Sequence, residues 1–369
     1  FKERKRNAKM IEFGMITLLG KDPIFVINAF ALGPWATGVN VTMSCVPFSK
    51  LKSLGPEKEK IENTLKQFGK DHHYVIMGYP PFLKSLVDNS EIDWKEFNIT
   101  FLFGGESMSE GMRDYLLEKG IKKVYSSLGA SDLELNMSAE NDFTISLRRL
   151  LRSNESLRSK ILKHTGALPM IFQYNPTDFL FESSDAGELI VTIGRPDYLS
   201  PKIRYNIHDR GHSLTLNDLY SILEELNISL DELVKPQTDL PLLLHYGRAD
   251  MTVSFFGSNI GPTDIQEVIY SLPELSKIVN SYNLAVNEDN EGNKKLIISL
   301  EVQKGETAEL LDLDKTQIAF FENLSKINQD FREAKKMLPN NSLTVICFED
   351  FGSGSFKEND IRIKAKYIG

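Results

Sequence analysis

Several carboxylates, glycine turns and cations of this chain fall where apolar runs end. Asp209 closes the segment Arg204-Tyr-Asn-Ile-His-Asp209. About forty residues on, a second Arg/Asp pair stands in Gly247-Arg-Ala-Asp250, at what reads as a domain border. Gly257-Ser-Asn-Ile260 follows, then a helical pattern from Pro262. Upstream, Phe103-Gly-Gly-Glu-Ser107 and Leu128-Gly-Ala-Ser-Asp132 each continue a strand-like run, and near the end Ile363-Lys-Ala-Lys-Tyr367 follows a Gly/Ser loop. A carboxylate in such a turn can accept hydrogen bonds from sugar hydroxyls or hold Mg²⁺, which prefers oxygen ligands. Glycines after a strand let a flat ring lie against backbone. A mobile ammonium can clamp negative charge as it develops. Joining a carboxylate to the α-phosphate of a nucleotide needs such groups, because two anions must approach and charge grows in the transition state.

Each piece also has a plainer reading. Ser107 and Glu110 have capping-box spacing. Leu128–Asp132 suits an ordinary turn, Gly247–Asp250 a surface turn with a salt bridge, and a two-lysine tail any surface. His208 and His212 stand four apart with Asp209 between them, a spacing for two metal ligands on a helix, although Gly211 weakens that helix. Phe30, Trp35, Tyr79 and Pro80 either wall an apolar slot or fill the core.

The elements that must position these residues are legible from periodicity. Ile24–Phe30, Tyr74–Met77, Ile99–Phe103 and Val124–Ser126 read as buried strands, separated by helical stretches over Pro56–Phe68, Pro81–Val87 and Ser109–Glu118. Continuous apolar strands alternating with helices predict a parallel sheet covered on both faces, without a dinucleotide fingerprint. Leu147–Leu162 reads as one helix, Glu188–Ile193 as a strand, Lys202–Ile207 as mixed and Leu214–Leu233 as two short helices joined near Asn227. Leu242–Tyr246 is a strand leading into Gly247. Beyond it, Pro262–Leu272 has a helical apolar face, Lys277–Ala285 and Leu296–Val302 form a hairpin-like pair, Thr316–Met337 is the longest helix, and Leu343–Phe348 closes as a strand. The fold class expected is α/β: a large domain with mostly parallel layered sheets plus a small C-terminal α+β domain.

Composition narrows the function class. With 51 acidic against 43 basic residues, the net charge of −8 gives no footprint for nucleic acid. The basic start, Lys2 to Lys9, reads as a solvated helix face. No apolar run of membrane-spanning length occurs, and no secretory signal pattern is seen; a cytoplasmic setting is expected. Cys45 and Cys347 have no metal or redox spacing and read as free thiols. A covalent acyl-thioester on either is the alternative.

The order of the segments resembles the acyl-adenylate-forming superfamily, and within it the phenylacetate–coenzyme A ligase branch. Phe103–Ser107 resembles that branch's Gly-Ala-Glu-Pro adenine motif, with Gly105 for Ala and Ser107 for Pro. Leu128–Asp132 resembles Tyr-Gly-x-Ser/Thr-Glu, with Leu128 for the aromatic and Asp132 for the Glu that holds Mg²⁺. Arg204–Asp209 resembles Arg-Tyr-Arg-Thr-Gly-Asp, with Asn206 and His208 in place of Arg and Gly. Gly247–Asp250 with Phe256–Pro262 and Asp264–Val268 resembles the start of the C-terminal domain, Met251 replacing a second Asp. Ile363–Tyr367 resembles Gly-Lys-Ala-Lys-Arg, and Asn28–Gly38 resembles the His-Asn-Ala-Tyr-Gly-Tyr-Gly stretch that lines the acid pocket.

The resemblance implies a set of roles. Gly104, Gly105, Glu106, Ser107, Gly129, Ser131, Asp209 and Arg248 would bind nucleotide, Asp209 at the ribose hydroxyls and Arg248 at ribose or phosphate. Lys364 and Asp132 would be catalytic, Asp132 as the Mg²⁺ ligand. Asp250 would be the hinge, and Phe30, Trp35, Tyr79 and Pro80 the acyl pocket. Residues 1–246 would form the adenylate-binding domain and 247–369 a mobile lid. ATP/AMP, Mg²⁺ and coenzyme A would be the cofactors, and a small carboxylic acid, or a carrier protein, the partner. The activity implied is ATP-dependent formation of an acyl-adenylate with transfer to a thiol, with coenzyme A as the expected acceptor. The alternatives are transfer to a carrier protein, a protein side chain or an amine, or a degenerate nucleotide-binding homologue. The superfamily's Ser/Thr/Gly-rich phosphate loop does not precede Ile24, so the large domain is expected to be incomplete at its N-terminus. On this reading Lys364 serves only the first step. Lys364→Ala should therefore impair adenylation far more than thioester formation from supplied adenylate, and equal loss in both half-reactions would reject the assignment.

Overall fold

A computed structural model describes the chain apart from residues 1, 34–35, 164–167, 196–198, 249–251, 256–257, 289–293, 310, 338–342, 358–366 and 369. It forms two compact units, one of Phe1–Ser107, Leu116–Lys163 and Leu168–Gly247, the other including Met108–Tyr115 and Arg248–Gly369. No helix among the described residues is long and apolar enough to cross a membrane.

The first unit opens with α1 (Lys2–Leu19), which exposes Lys2, Arg4, Lys5 and Lys9 and buries Ile11 and Met15. A regular alternation follows: β1 (Ile24–Asn28), α2 (Ala36–Cys45), β2 (Lys50–Ser53), α3 (Lys58–Phe68), β3 (His73–Gly78), α4 (Pro80–Asp88), β4 (Asn98–Gly104), α5 (Glu110–Glu118) and β5 (Lys123–Leu128). These five strands pair in parallel in the order β2-β1-β3-β4-β5. Every residue of β1 is buried, as are all but the first of β3 and β4. Burial on both faces is why their sequences read as unbroken apolar runs. The edge strand β2 carries Lys50 and Lys52, charges that blunt an open edge.

The sheet then changes character. After β5 come β6 (Ser138–Ala139), α6 (Asp142–Ser153), α7 (Glu155–Ile161), β7 (Met170–Tyr174), β8 (Phe179–Ser183), β9 (Glu188–Ile193), β10 (Tyr205–Leu214), α8 (Leu216–Glu225) and β11 (Leu242–Arg248). The eleven-stranded sheet continues β5-β6-β7-β11-β10-β9-β8, with antiparallel pairing at β5–β6, β6–β7, β7–β11, β10–β9 and β9–β8. Strand β9 alternates buried Leu189, Val191 and Ile193 with half-buried neighbours, as expected of a sheet with one face in the core.

The expected single helix over 147–162 is two, because Asn154 ends α6 and its side chain accepts the Leu157 N–H at 2.9 Å to start α7. At the other end α6 starts earlier than expected, at a capping box between Asn141 and Thr144.

The second unit continues with β12 (Val253–Phe255), β13 (Ser258–Ile260), α9 (Pro262–Ser271), α10 (Pro273–Ile278), β14 (Val279–Glu288), β15 (Lys294–Val302), α11 (Leu313–Ile327), α12 (Gln329–Met337) and β16 (Thr344–Glu349). Strands β14 and β15 pair antiparallel, and β16 adds in parallel to β15. The hairpin's first strand begins at Val279, since Pro273 starts a short helix that takes up Lys277. The core is built on Ile265, Val268, Leu284, Ile298, Phe320 and Leu324.

The expected long helix 316–337 breaks at fully buried Asn328. Its amide oxygen accepts the Phe331 N–H at 2.8 Å, while its amide nitrogen donates to the Asn259 carbonyl and the Asp264 carboxylate, both at 2.9 Å. One side chain thus starts α12 and ties it to β13 and α9. Asn328→Ala would remove all three bonds at a fully buried position. It should lower stability by about 2–4 kcal/mol in urea denaturation; a loss under about 1 kcal/mol would show that the three contacts carry little.

Candidate active site

The turn after β4 is shaped by contact with an aromatic ring. Gly104 ends the strand beside Ser127 of β5. Gly105 has φ +81°, and a Cβ there would lie 2.7 Å from Cε1 of Tyr79, so both conformation and space demand glycine. Tyr79 precedes α4, whose first residue is Pro80, a position where the missing N–H is harmless. Phe30 meets the Tyr79 ring edge-on at 5.0 Å. Both belong to a buried cluster with Val26, Val75, Met77 and Leu102. Burial raises the Tyr79 phenol above its ordinary 10, a hydrogen bond with Thr37 opposes the rise, and the charge of Glu106 adds to it. Phe30 and Tyr79 are thus core side chains, and Tyr79 also backs the Gly105 turn. Glu106 and Ser107 are half-buried beside it.

The turn after β5 closes on itself. Ala130 N–H donates to the Glu134 carbonyl at 2.9 Å and Met137 N–H to the Leu128 carbonyl at 2.9 Å. A Cβ on Gly129 would lie 2.5 Å from the Leu135 carbonyl group. Ser131 and Asp132 sit exposed at the tip. Asp132 Oδ2 accepts the Tyr205 hydroxyl at 2.8 Å. This bond, then desolvation and the carboxylate charge, raise the Tyr205 phenol above 10. Lys202 lies over the Tyr205 ring, 4.9 Å from its centroid. Below the tip, Glu134 pairs with Arg195 through both oxygens, with both side chains largely buried. The Arg195 guanidinium also faces the Phe179 ring at 5.6 Å.

Strand β10 carries Asp209 on a bulge. Tyr205 and Asn206 pair with Val191 and Ile190, but Arg210 pairs with Glu188, so β10 holds extra residues opposite β9. His208 has φ +58° and Arg204 φ +50°, values uncommon outside glycine. Asn206 secures the bulge: its oxygen accepts the His208 N–H at 2.8 Å and its amide donates to Glu188 at 2.6 Å. That bond holds the Glu188 carboxyl below its ordinary range against desolvation, and His208 and then Arg210 add to the lowering. Arg204 pairs with Glu182. Asp209 Oδ2 lies 2.9 Å from His245 Nε2 in neighbouring β11.

The structure therefore joins the expected residues in two groups and one pair. Gly104, Gly105 and Glu106 gather with Phe30, Tyr79 and Pro80. Gly129, Ser131 and Asp132 gather with Tyr205. Asp209 pairs with His245. Arg248 is exposed at the end of β11. Trp35, Asp250 and Lys364 lie outside the described residues. His208 and His212 stand on a strand, not a helix. His212 is buried, bonded to the Ile161 carbonyl at 3.1 Å and stacked on Tyr246. Among the described residues no group of three or more His, Cys, Asp or Glu could hold a metal. Cys45 is buried, which pushes its thiol to about 12 and keeps it protonated, while Cys347 is exposed. Sequence reading missed Tyr205, Glu134, Arg195 and His245 as partners. Only His245 left a signal, a lone polar residue in the apolar run Leu242–Tyr246.

No family model and no curated protein sequence matches the chain. Solved structures do. A 2-hydroxyisobutyryl-CoA ligase in the postadenylation state, in complex with R3-HIB-AMP, matches with TM-score 0.68 over 99% of this chain and 69% of that one, at 13% identity. An anthranilate CoA ligase in complex with anthranoyl-AMP matches with TM-score 0.55 over 97% and 61%, at 8% identity. An amide bond synthetase from Marinactinospora thermotolerans matches with TM-score 0.50 over 93% and 61%, at 10% identity. At such identities the likeness is one of fold, and the chain has the α/β fold of adenylate-forming enzymes.

The Glu134–Arg195 pair makes a measurable claim about the loop that carries Asp132. Removing Arg195 takes from the largely buried Glu134 carboxylate its cation, whereas replacing both with apolar groups does not. Arg195→Leu should cost about 3–5 kcal/mol in urea denaturation, and the double variant Arg195→Leu/Glu134→Leu should recover most of it. A double variant no more stable than the single one would show the pair to be irrelevant.

Proposed function

We propose that the protein activates a carboxylic acid with ATP as an acyl-adenylate and passes the acyl group to the thiol of coenzyme A, as an AMP-forming acid–thiol ligase of the phenylacetate–CoA ligase type. The observation that carries the reading is the bond from Tyr205 to Asp132, 2.8 Å long, between segments 73 residues apart in the chain. Both segments match motifs of one superfamily, and an unrelated fold has no reason to bring them into contact. The fold likeness supports the same reading.

The chemistry assigns each group a task. A carboxylate oxygen of the acid bonds to the α-phosphorus while the bond to pyrophosphate breaks. The acceptor sulfur then bonds to the acyl carbon, AMP leaves, and the thiol proton passes to solvent. By resemblance the exposed backbone of Gly105, backed by the Tyr79 ring, takes the flat purine. Ser131 and Asp132 are exposed at the tip of their loop, and by resemblance Ser131 meets phosphate and Asp132 the metal ion. The residues present fit Mg²⁺: Asp132 is an exposed carboxylate with Tyr205 on one oxygen, and an ionised carboxylate has about four acceptor positions. The ion takes few protein ligands and completes its shell with phosphate and water, so when bound it neutralises phosphate charge. Asp209 accepts from the ribose hydroxyls, and by resemblance Arg248 acts at ribose or phosphate, Lys364 at the α-phosphate and Asp250 as hinge. By resemblance the segment that holds Trp35 would line the acid pocket and favour an apolar or aromatic acyl group, while Phe30 and Tyr79 serve as core behind the Gly105 turn.

Acid-dependent ATP–pyrophosphate exchange, screened over aryl, fatty and amino acids, tests the first step. Exchange should appear with at least one apolar acid, and Asp132→Ala should reduce it by about 10²–10³-fold. Absence of exchange with every acid, with AMP binding retained, would leave a non-catalytic nucleotide binder. Radiolabelled acid appearing on protein or on an added amine instead of coenzyme A would change the acceptor and keep the adenylation.

A further inference from the structure

The carboxylate of Asp209 is held by a residue that no motif contains. The β10 bulge, fixed by Asn206 and Glu188, carries Asp209 beside β11, where His245 Nε2 lies 2.9 Å from Oδ2. The two side chains are 15% and 11% exposed, so water competes little for this bond. An ionised carboxylate only accepts, so the contact requires the proton of His245 on Nε2. The ring has little freedom to turn away, because it lies edge-on to Phe172 at 6.3 Å in the buried strand run Leu242–His245. A hydrogen bond from His245 uses one of about four acceptor positions of the carboxylate.

From this geometry we infer that His245 is a positioning residue for nucleotide recognition: its Nε2–H aims the Asp209 carboxylate at a vicinal diol. The inference rests on the reading of Asp209 as the ribose acceptor. A hydrogen bond to a charged acceptor in a shielded place holds orientation better than one open to solvent. Without it the carboxylate loses one of the bonds that fix its rotamer, and the diol must restore that orientation on binding. The cost falls on ligands that carry the two hydroxyls and not on those that lack them. A residue needed only for folding would penalise both kinds alike.

The test is AMP binding by titration calorimetry, compared with AMP lacking the 2′- and 3′-hydroxyls, on the whole protein and three variants. His245→Leu should weaken AMP about tenfold or more, the scale of a charge-assisted hydrogen bond. His245→Gln, which keeps an N–H donor, should stay within about threefold of wild type. With the dideoxy ligand, His245→Leu and wild type should agree. Equal losses for both ligands, or no loss for either, would overturn the inference while Asp209→Ala still weakens AMP. If Asp209→Ala leaves AMP binding unchanged, the ribose reading itself fails and the inference goes with it. The wild-type protein gives an answer even if His245→Leu does not fold. The Nε2–H resonance of His245 should shift on titration with AMP and hold still with the dideoxy ligand, and an AMP titration that leaves it in place would refute the coupling.

Discussion

The large sheet passes from parallel to antiparallel pairing between β5 and β6, and the loop that carries Ser131 and Asp132 is built at that change. Parallel strands deliver their following loops to one edge, which is where such folds present ligand sites. Strand β5 is the last of the parallel set, and two-residue β6 turns back on it through Ser127–Ala139 and Leu128–Ser138. The intervening residues cannot wander, because Glu140 and Met137 donate their N–H groups to Ser126 and Leu128 on either side of the reversal. What is left, Gly129 to Asn136, is a short closed loop with Ser131 and Asp132 at its tip. Burying Glu134 with Arg195 beneath that tip adds little net stability, since desolvation offsets the attraction. It does fix geometry: the pair ties the loop to Arg195 through both carboxylate oxygens.

The same logic explains the departures of Arg204–Asp209 from the pattern it resembles. Glycine is usual where His208 stands, and His208 has a left-handed φ of +58°. A side chain in that region costs roughly 1–2 kcal/mol. Asn206, standing where arginine is usual, supplies two hydrogen bonds at that point, one to the strained backbone and one to Glu188. The two substitutions form one local solution. A bulge that glycine would permit by flexibility is here enforced by side-chain bonds, and it sets the direction of Asp209.

What the sequence disclosed follows from which interactions are local. Strands β1, β3, β4 and β5 were legible because burial on both faces writes a continuous apolar run. The antiparallel half was largely hidden: β6 has two residues, β7 and β8 are short, and Tyr205–Leu214 mixes charge with glycine because it carries the bulge. Helix α2 was missed because its Gly, Val and Thr content gives no clear period. Asn154 and Asn328 each split an expected helix, and an asparagine that caps looks the same in sequence as one on a solvent face. The site showed the same division. Its glycines and carboxylates stood out by spacing, while Arg195, Tyr205 and His245 owe their importance to partners 61, 73 and 36 residues away.

The residues around the turns after β4 and β5 divide by how they are held. Gly105 is placed by the core, with the Tyr79 ring where its side chain would be, so its position is as rigid as the cluster behind it. Asp132 is exposed and has no such wall. An exposed carboxylate on a loop samples several rotamers unless a partner selects one. Tyr205 makes that selection with a stiff side chain of two torsions, its ring covered by Lys202. The bond contributes little stability so close to solvent. Its effect is orientational: one oxygen is committed to Tyr205, and the rotamer of the exposed carboxylate is fixed by that bond.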